Sequence, residues 1–459
     1  MAKPAVDTWQ DRPSGIPASV PPPSVPLSFL AAAGLGLVAC GAAWIWAAGY
    51  ATQDPTSDPV VAAVHFGVLA TLAMGILGAT HQFTPVITTR PLRSVRLARA
   101  TFALWLVTAW MLPLAIATEQ LALTEVSGAV AGLAVVLLAI NLAKPLSVLG
   151  KGAPVNALRL GVLGALLTGL LGAAFVGDRQ TSWFELSGHT DLAMGVLGLF
   201  CWLGATYVGV AEKLWPMFML AHVPGQHRAG RLAAWSVPTG GALLAAGLGW
   251  GIVGLAVAGA PLLSLGLVAH LVSLSLHVRY RRRKRDLHLT FVVTSASWLP
   301  VAAGLAIASL ATLPHHYNTG VALAAGASVA VGGWLLEALV GHSHKVVPFI
   351  VWSFLRSKGV SRGPKGKPLM FADLYNPFWA GVTYGTLTTG IALLCIGLGG
   401  VWPYVTTAGG SFLAIAGIVV VANLSLTPML MYFRAGNVAP GRTSPGGPMG
   451  DARRGAGHQ

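Results

Sequence analysis

Thirteen histidines stand in a chain of 459 residues of which only 9% are charged. An ionisable group inside an apolar segment is costly to bury and marks a functional site by default. A neutral imidazole ligates haem iron and copper, and helices supplying histidines from different walls hold such cofactors in a bundle. Position along the apolar segments sorts the histidines into layers. His65, His189 and the adjacent pair His315-His316 fall at one edge, and His81, His342 and His344 at the other. His222, His227, His277 and His288 lie in or near basic loops, and His270 lies between the layers. His65 and His81 are 16 residues apart, about 24 Å along a helix, so they belong to separate sites.

His65 sits in the apolar run Val64-His65-Phe66-Gly67-Val68 with no charge beside it, which makes it the first choice for an axial ligand. His342-Ser343-His344 places two rings on a helix facing different neighbours. Glu337, seven residues before His344, shares its face and either orients that ring or pairs with Lys345 or Lys213. His315-His316 reads equally as a metal pair or as a surface turn.

These residues hang on a motif written three times. Gly78-Ala79-Thr80-His81-Gln82-Phe83-Thr84-Pro85-Val86-Ile87 recurs over 209–218, with Glu212-Lys213 in place of His81-Gln82, and over 341–350, with His344-Lys345 there. Pro85 to Pro216 is 131 residues and Pro216 to Pro348 is 132, which implies a triplicated unit. The glycine permits close helix approach, and the proline ends or bends its helix. His81, Glu212 and His344 could converge only if the motif helices line one axis; otherwise they form separate sites. Glu212, Lys213 and Glu337 are the candidates for a proton or ion path.

A composition 54% hydrophobic excludes a soluble globular protein. The net charge of +15 comes from loops between apolar runs, so it reads as a topology signal and not as a nucleic-acid groove. Cys40, Cys201 and Cys395 lie in apolar segments and form no metal or disulfide pattern. Twelve runs are long enough to cross a bilayer, at about 27–49, 59–87, 98–118, 124–143, 155–176, 189–220, 232–257, 260–278, 288–312, 319–354, 378–400 and 404–432. The expected fold is an all-α polytopic membrane protein of three pseudo-symmetric four-helix repeats over 27–432. Tails at 1–26 and 433–459 are expected to be disordered and cytoplasmic. Lys and Arg cluster after the even-numbered runs, which puts both termini and the motif on the cytoplasmic side of a bacterial-type inner membrane.

Twelve helices in three arcs, with a histidine near the outer end of the second, resemble subunit I of the haem-copper oxidases. His65-Phe66-Gly67, followed by Pro85 and Thr88-Thr89-Arg90-Pro91, is similar to that family's helix-two segment, whose histidine ligates the low-spin haem. His342-Ser343-His344 is similar to its His-x-His, and His315-His316 superficially to its adjacent histidine pair. The copper set is not matched, since 231–257 contains no histidine and His189 is followed at the His-x-x-x-Tyr spacing by Ala193. The closer resemblance is to divergent oxidase-like membrane proteins, including the NnrS family. It rests on 189–218 and on Gly366-Lys367-Pro368 through Asp373-Leu374-Tyr375-Asn376-Pro377. That resemblance implies a haem b protein, with copper as a second cofactor, in redox or nitric oxide metabolism. Its expected partners are an electron-donor protein or subunits of a respiratory complex. A twelve-helix transporter and a cofactor-free accessory subunit are the competing expectations, and three repeats count against the two-halved carriers.

Overall fold

The computed structural model describes residues 20–150, 152–181, 188–224, 227–360, 362 and 367–426. Among the described residues, twelve helices are long and apolar enough to cross a membrane. They are α1 Ser24–Ala51, α2 Asp58–Thr88, α3 Val95–Ala117, α4 Leu121–Leu146, α5 Ala153–Asp178, α6 Thr190–Met219, α7 Arg228–Gly249, α8 Val253–Arg279, α9 Leu287–Thr312, α10 Tyr317–Ser357, α11 Pro377–Gly399 and α12 Pro403–Ser425. No β-strand occurs among the described residues. The chain is an all-helical, multi-pass membrane protein whose backbone polar groups are satisfied within its helices, as a bilayer requires. Most of 1–26 and all of 433–459 lie outside the described residues, though α1 already begins at Ser24.

The expected boundary between the seventh and eighth helices is displaced. Pro261 lies inside α8, and the break falls at Trp250-Gly251-Ile252. Gly251 is left-handed (φ 64°) and Ile252 N–H donates to the Gly247 carbonyl at 2.9 Å. The α3–α4 and α11–α12 connections are built the same way. Glu119 and Val401 are left-handed, and Gln120 and Trp402 N–H donate five residues back, to Ala115 at 2.8 Å and Gly397 at 2.7 Å. This closure satisfies carbonyls that a helix end otherwise leaves bare.

The helices pair as α3 with α4, α7 with α8, α9 with α10 and α11 with α12, while α1 lies along α12 and closes the ring. The motif helices α2, α6 and α10 meet one another inside it. Trp105 on α3 packs edge-on to Trp202 on α6, and Tyr207 on α6 packs edge-on to Trp334 on α10. Two motif helices carry matching π-helical segments, Phe66–Ala73 in α2 and Leu197–Gly204 in α6. Both end just past the motif proline, capped by left-handed Thr89 and Leu220, whereas α10 runs on to Ser357. A side chain at Gly78, Gly209 or Gly341 would come within 3.0 Å of the Cβ of Phe29, Ala157 or Phe291 respectively. Each motif helix is thereby seated on α1, α5 or α9.

Replacing Gly341 with Ala tests that seating. Helix propensity favours alanine by about 1 kcal/mol, but overpacking costs about 1–3 kcal/mol, so the expected net effect is a lower melting temperature in detergent. Gly49→Ala, where nothing lies within 4 Å, is expected to leave it unchanged or raise it.

Candidate functional site

His81 and His344 occupy matching environments. His81 is fully buried, its Nδ1 is 2.8 Å from the Leu77 carbonyl, and its ring stacks on Phe29 at 5.3 Å. His344 is also buried, with Nδ1 2.8 Å from the Val340 carbonyl and its ring stacked on Phe291 at 5.5 Å. A carbonyl only accepts, so Nδ1 donates and, in the neutral ring, Nε2 holds a lone pair aimed away from its own helix. His342 and His277 make the same bond, to Ala338 and Ser273 at 2.7 Å. The Nε2 atoms of all four are buried and make no hydrogen bond to a described residue.

Glu212, the counterpart of His81 in the second motif, has a buried Oε1 without a hydrogen bond and lies against Gly230, where any side chain would collide with its carboxylate. Lys213 beside it is exposed. His81 faces α1, Glu212 faces α7 and His344 faces α9, so the three motif positions do not converge. The structure brings together a different group. His270, with neither ring nitrogen bonded, sits among Tyr207, Trp215 and Trp334. His342 continues this aromatic wall from Tyr207 to His288.

Glu337 is fully buried, but it does not pair with a lysine. Trp298 Nε1–H donates to its Oε2 at 2.6 Å and the Thr388 hydroxyl to its Oε1 at 2.7 Å. Lys345 pairs instead with Asp286 at 2.8 Å. Both expected ion pairs of Glu337 are therefore replaced by neutral donors from α9 and α11. Tyr375, edge-on to His344, has its hydroxyl pKa pushed up by burial and then by the Asp286 charge.

At the opposite end, His65 is half-buried, donates from Nδ1 to the Val61 carbonyl at 2.8 Å and lies within electrostatic reach of Asp191. The His189 side chain falls outside the described residues. His315 and His316 are exposed in the turn before α10, and no cluster of three His, Cys, Asp or Glu suited to a metal occurs among the described residues. His277 and His288, which the sequence puts in or near basic loops, are both buried. The cue for His288 was Asp286, whose carboxylate accepts from Leu289 N–H at 3.0 Å and starts α9 ahead of the histidine. No protein-family model matches the chain, and no curated protein is significantly similar to it.

The Glu337 geometry yields a contrast between two substitutions. In Glu337→Gln the amide oxygen still accepts from Trp298, and its NH₂ donates to the Thr388 oxygen, so stability is expected to change little. Glu337→Leu strands the Trp298 N–H and is expected to cost about 1–3 kcal/mol in denaturant unfolding.

Proposed function

We propose that the protein is a haem-binding, oxidase-like membrane protein of the NnrS-like type, acting in redox or nitric oxide metabolism, with His81 and His344 as the haem-iron ligands. One observation carries the reading. Each ring spends Nδ1 on its own backbone and leaves a buried, unpartnered Nε2, the arrangement that fixes the tautomer and orientation of a ligating histidine. Bound there, haem would supply one-electron chemistry, and the stacked Phe29 and Phe291 would hold each ring against rotation. His65 offers the same tautomer in a more open place and is the second choice.

Triplication of a four-helix unit is part of the proposal. Its support includes the 131-residue offset between the two π-helical segments, the three alike third-to-fourth-helix connections and the paired His–Phe stacks. Asn141 and Asn423 add to it, since each accepts from the backbone N–H of a residue 47 positions earlier, Ser94 and Asn376. The basic loops support a cytoplasmic location for the motif end of the bundle, where an electron-donor protein would dock.

The purified protein in detergent is expected to show a Soret band and a haem b pyridine haemochrome. His81→Ala and His344→Ala are each expected to lower haem content, and His65→Ala to leave it close to wild type. Absence of a Soret band from protein made under haem-replete conditions would overturn the reading, and loss of haem only in His65→Ala would move the site to the opposite end.

A further inference from the structure

The segment joining α8 to α9 concentrates positive charge at one place on the motif end of the bundle. Arg279, Arg281, Arg282, Arg283, Lys284 and Arg285 are interrupted only by Tyr280, and all are exposed. The one carboxylate that follows, Asp286, is already engaged by Lys345 at 2.8 Å, by Arg283 at 3.5 Å and by Leu289 N–H. Asp54, Asp58, Glu119 and Glu125 lie at the opposite end of the bundle, far beyond a Debye length, so they do not offset the run. Like charges packed this closely repel one another, and an anion from outside the chain relieves that repulsion.

Packing holds the segment in place. The N–H groups of Arg282 and Arg283 both donate at 3.2 Å to the carbonyl of Met219, the last residue of α6, and the Arg281 guanidinium donates to the Val278 carbonyl at 2.7 Å. The backbone is thus ordered before a ligand arrives, which lowers the cost of binding. Because α8 and α9 both cross the membrane, the segment is held at the level of the lipid headgroups. Leu220, next to the pinning carbonyl, and Tyr280 are 58% and 42% exposed, so apolar side chains stand at the foot of the charged run. Such a surface matches a molecule that is anionic at one end and hydrocarbon at the other. Arginine pairs with phosphate oxygens through two parallel N–H bonds, and a basic run beside a membrane helix attracts anionic lipid. We propose that the 279–285 segment and the adjoining end of α6 bind the headgroup of an anionic phospholipid in the leaflet on the motif side of the membrane.

The site does not depend on haem. It is tested by reconstituting the purified full-length protein in phosphatidylcholine bilayers doped with spin-labelled phosphatidylglycerol or spin-labelled phosphatidylcholine, and reading the motionally restricted fraction of each by electron paramagnetic resonance. The wild type is expected to prefer the anionic lipid about tenfold, the weight of a basic residue or two at a membrane surface. That preference should fade in about 1 M salt, where the Debye length falls to about 3 Å. Arg281→Gln/Arg282→Gln and Lys284→Gln/Arg285→Gln are each expected to lose most of it, while Arg90→Gln/Arg93→Gln, in the more dispersed basic stretch after α2, keeps it. Thermal unfolding of the wild type in detergent needs no variant. Phosphatidylglycerol is expected to raise Tm, and phosphatidylcholine, inorganic phosphate and polyglutamate are not. No preference in the wild type, or an equal loss in Arg90→Gln/Arg93→Gln, would overturn the site. A rise in Tm with inorganic phosphate equal to that with the lipid would make it a free-anion site, and an equal rise with polyglutamate a protein-docking face; either result would overturn the lipid assignment.

Discussion

The bond from a histidine Nδ1–H to the carbonyl four residues back on its own helix governs what the interior of this protein has to offer. It costs the helix nothing, because that carbonyl has a second lone pair. It sets the ring tautomer and removes one nitrogen from competition. His81, His277, His342 and His344 all make it near the same end of the bundle. In a soluble protein the remaining Nε2 would find water. In the apolar interior of a membrane protein it becomes a standing demand for a proton donor or a metal, and several such demands lie within one aromatic lining.

Packing decides where those demands point. The motif glycines seat α2 and α10 on Phe29 and Phe291, and those phenylalanines are the rings on which His81 and His344 stack. One close approach thus fixes helix spacing and imidazole orientation together. At the second copy of the motif Ala157 stands where the other copies meet phenylalanine and Glu212 where they carry histidine, leaving a carboxylate against Gly230. Helix α6 contributes an aromatic wall instead, through Tyr207, Trp215 and Phe218, against which His270, His277, His288 and His342 pack. Helices that share the motif thus carry different polar contents.

Much of the fold was legible from apolar run length, since a bilayer demands about 20 helical residues whatever their order. The exception was the boundary expected between 257 and 260, which lies inside α8, while left-handed Gly251 makes the turn. The site was less legible. Helices apolar on all sides give no periodic sign of which face meets protein, so the partners of Glu337 on α9 and α11 had no local signature. Charge in a neighbouring loop also misled: Arg283 and Lys284 lie close to His288 in sequence, yet one turn of helix carries the histidine inside. The near identity of the His81 and His344 settings was visible only as a repeated spacing.

The tautomer assignment on which the ligand sites rest is open to direct observation. Solid-state ¹⁵N NMR of the histidine-labelled protein, freed of metal and haem, is expected to show the buried imidazoles neutral, with the proton on Nδ1 and a bare Nε2. Signals from these residues with the proton on Nε2, or on both nitrogens, would contradict it and leave the motif histidines as hydrogen-bonding residues of the helix packing.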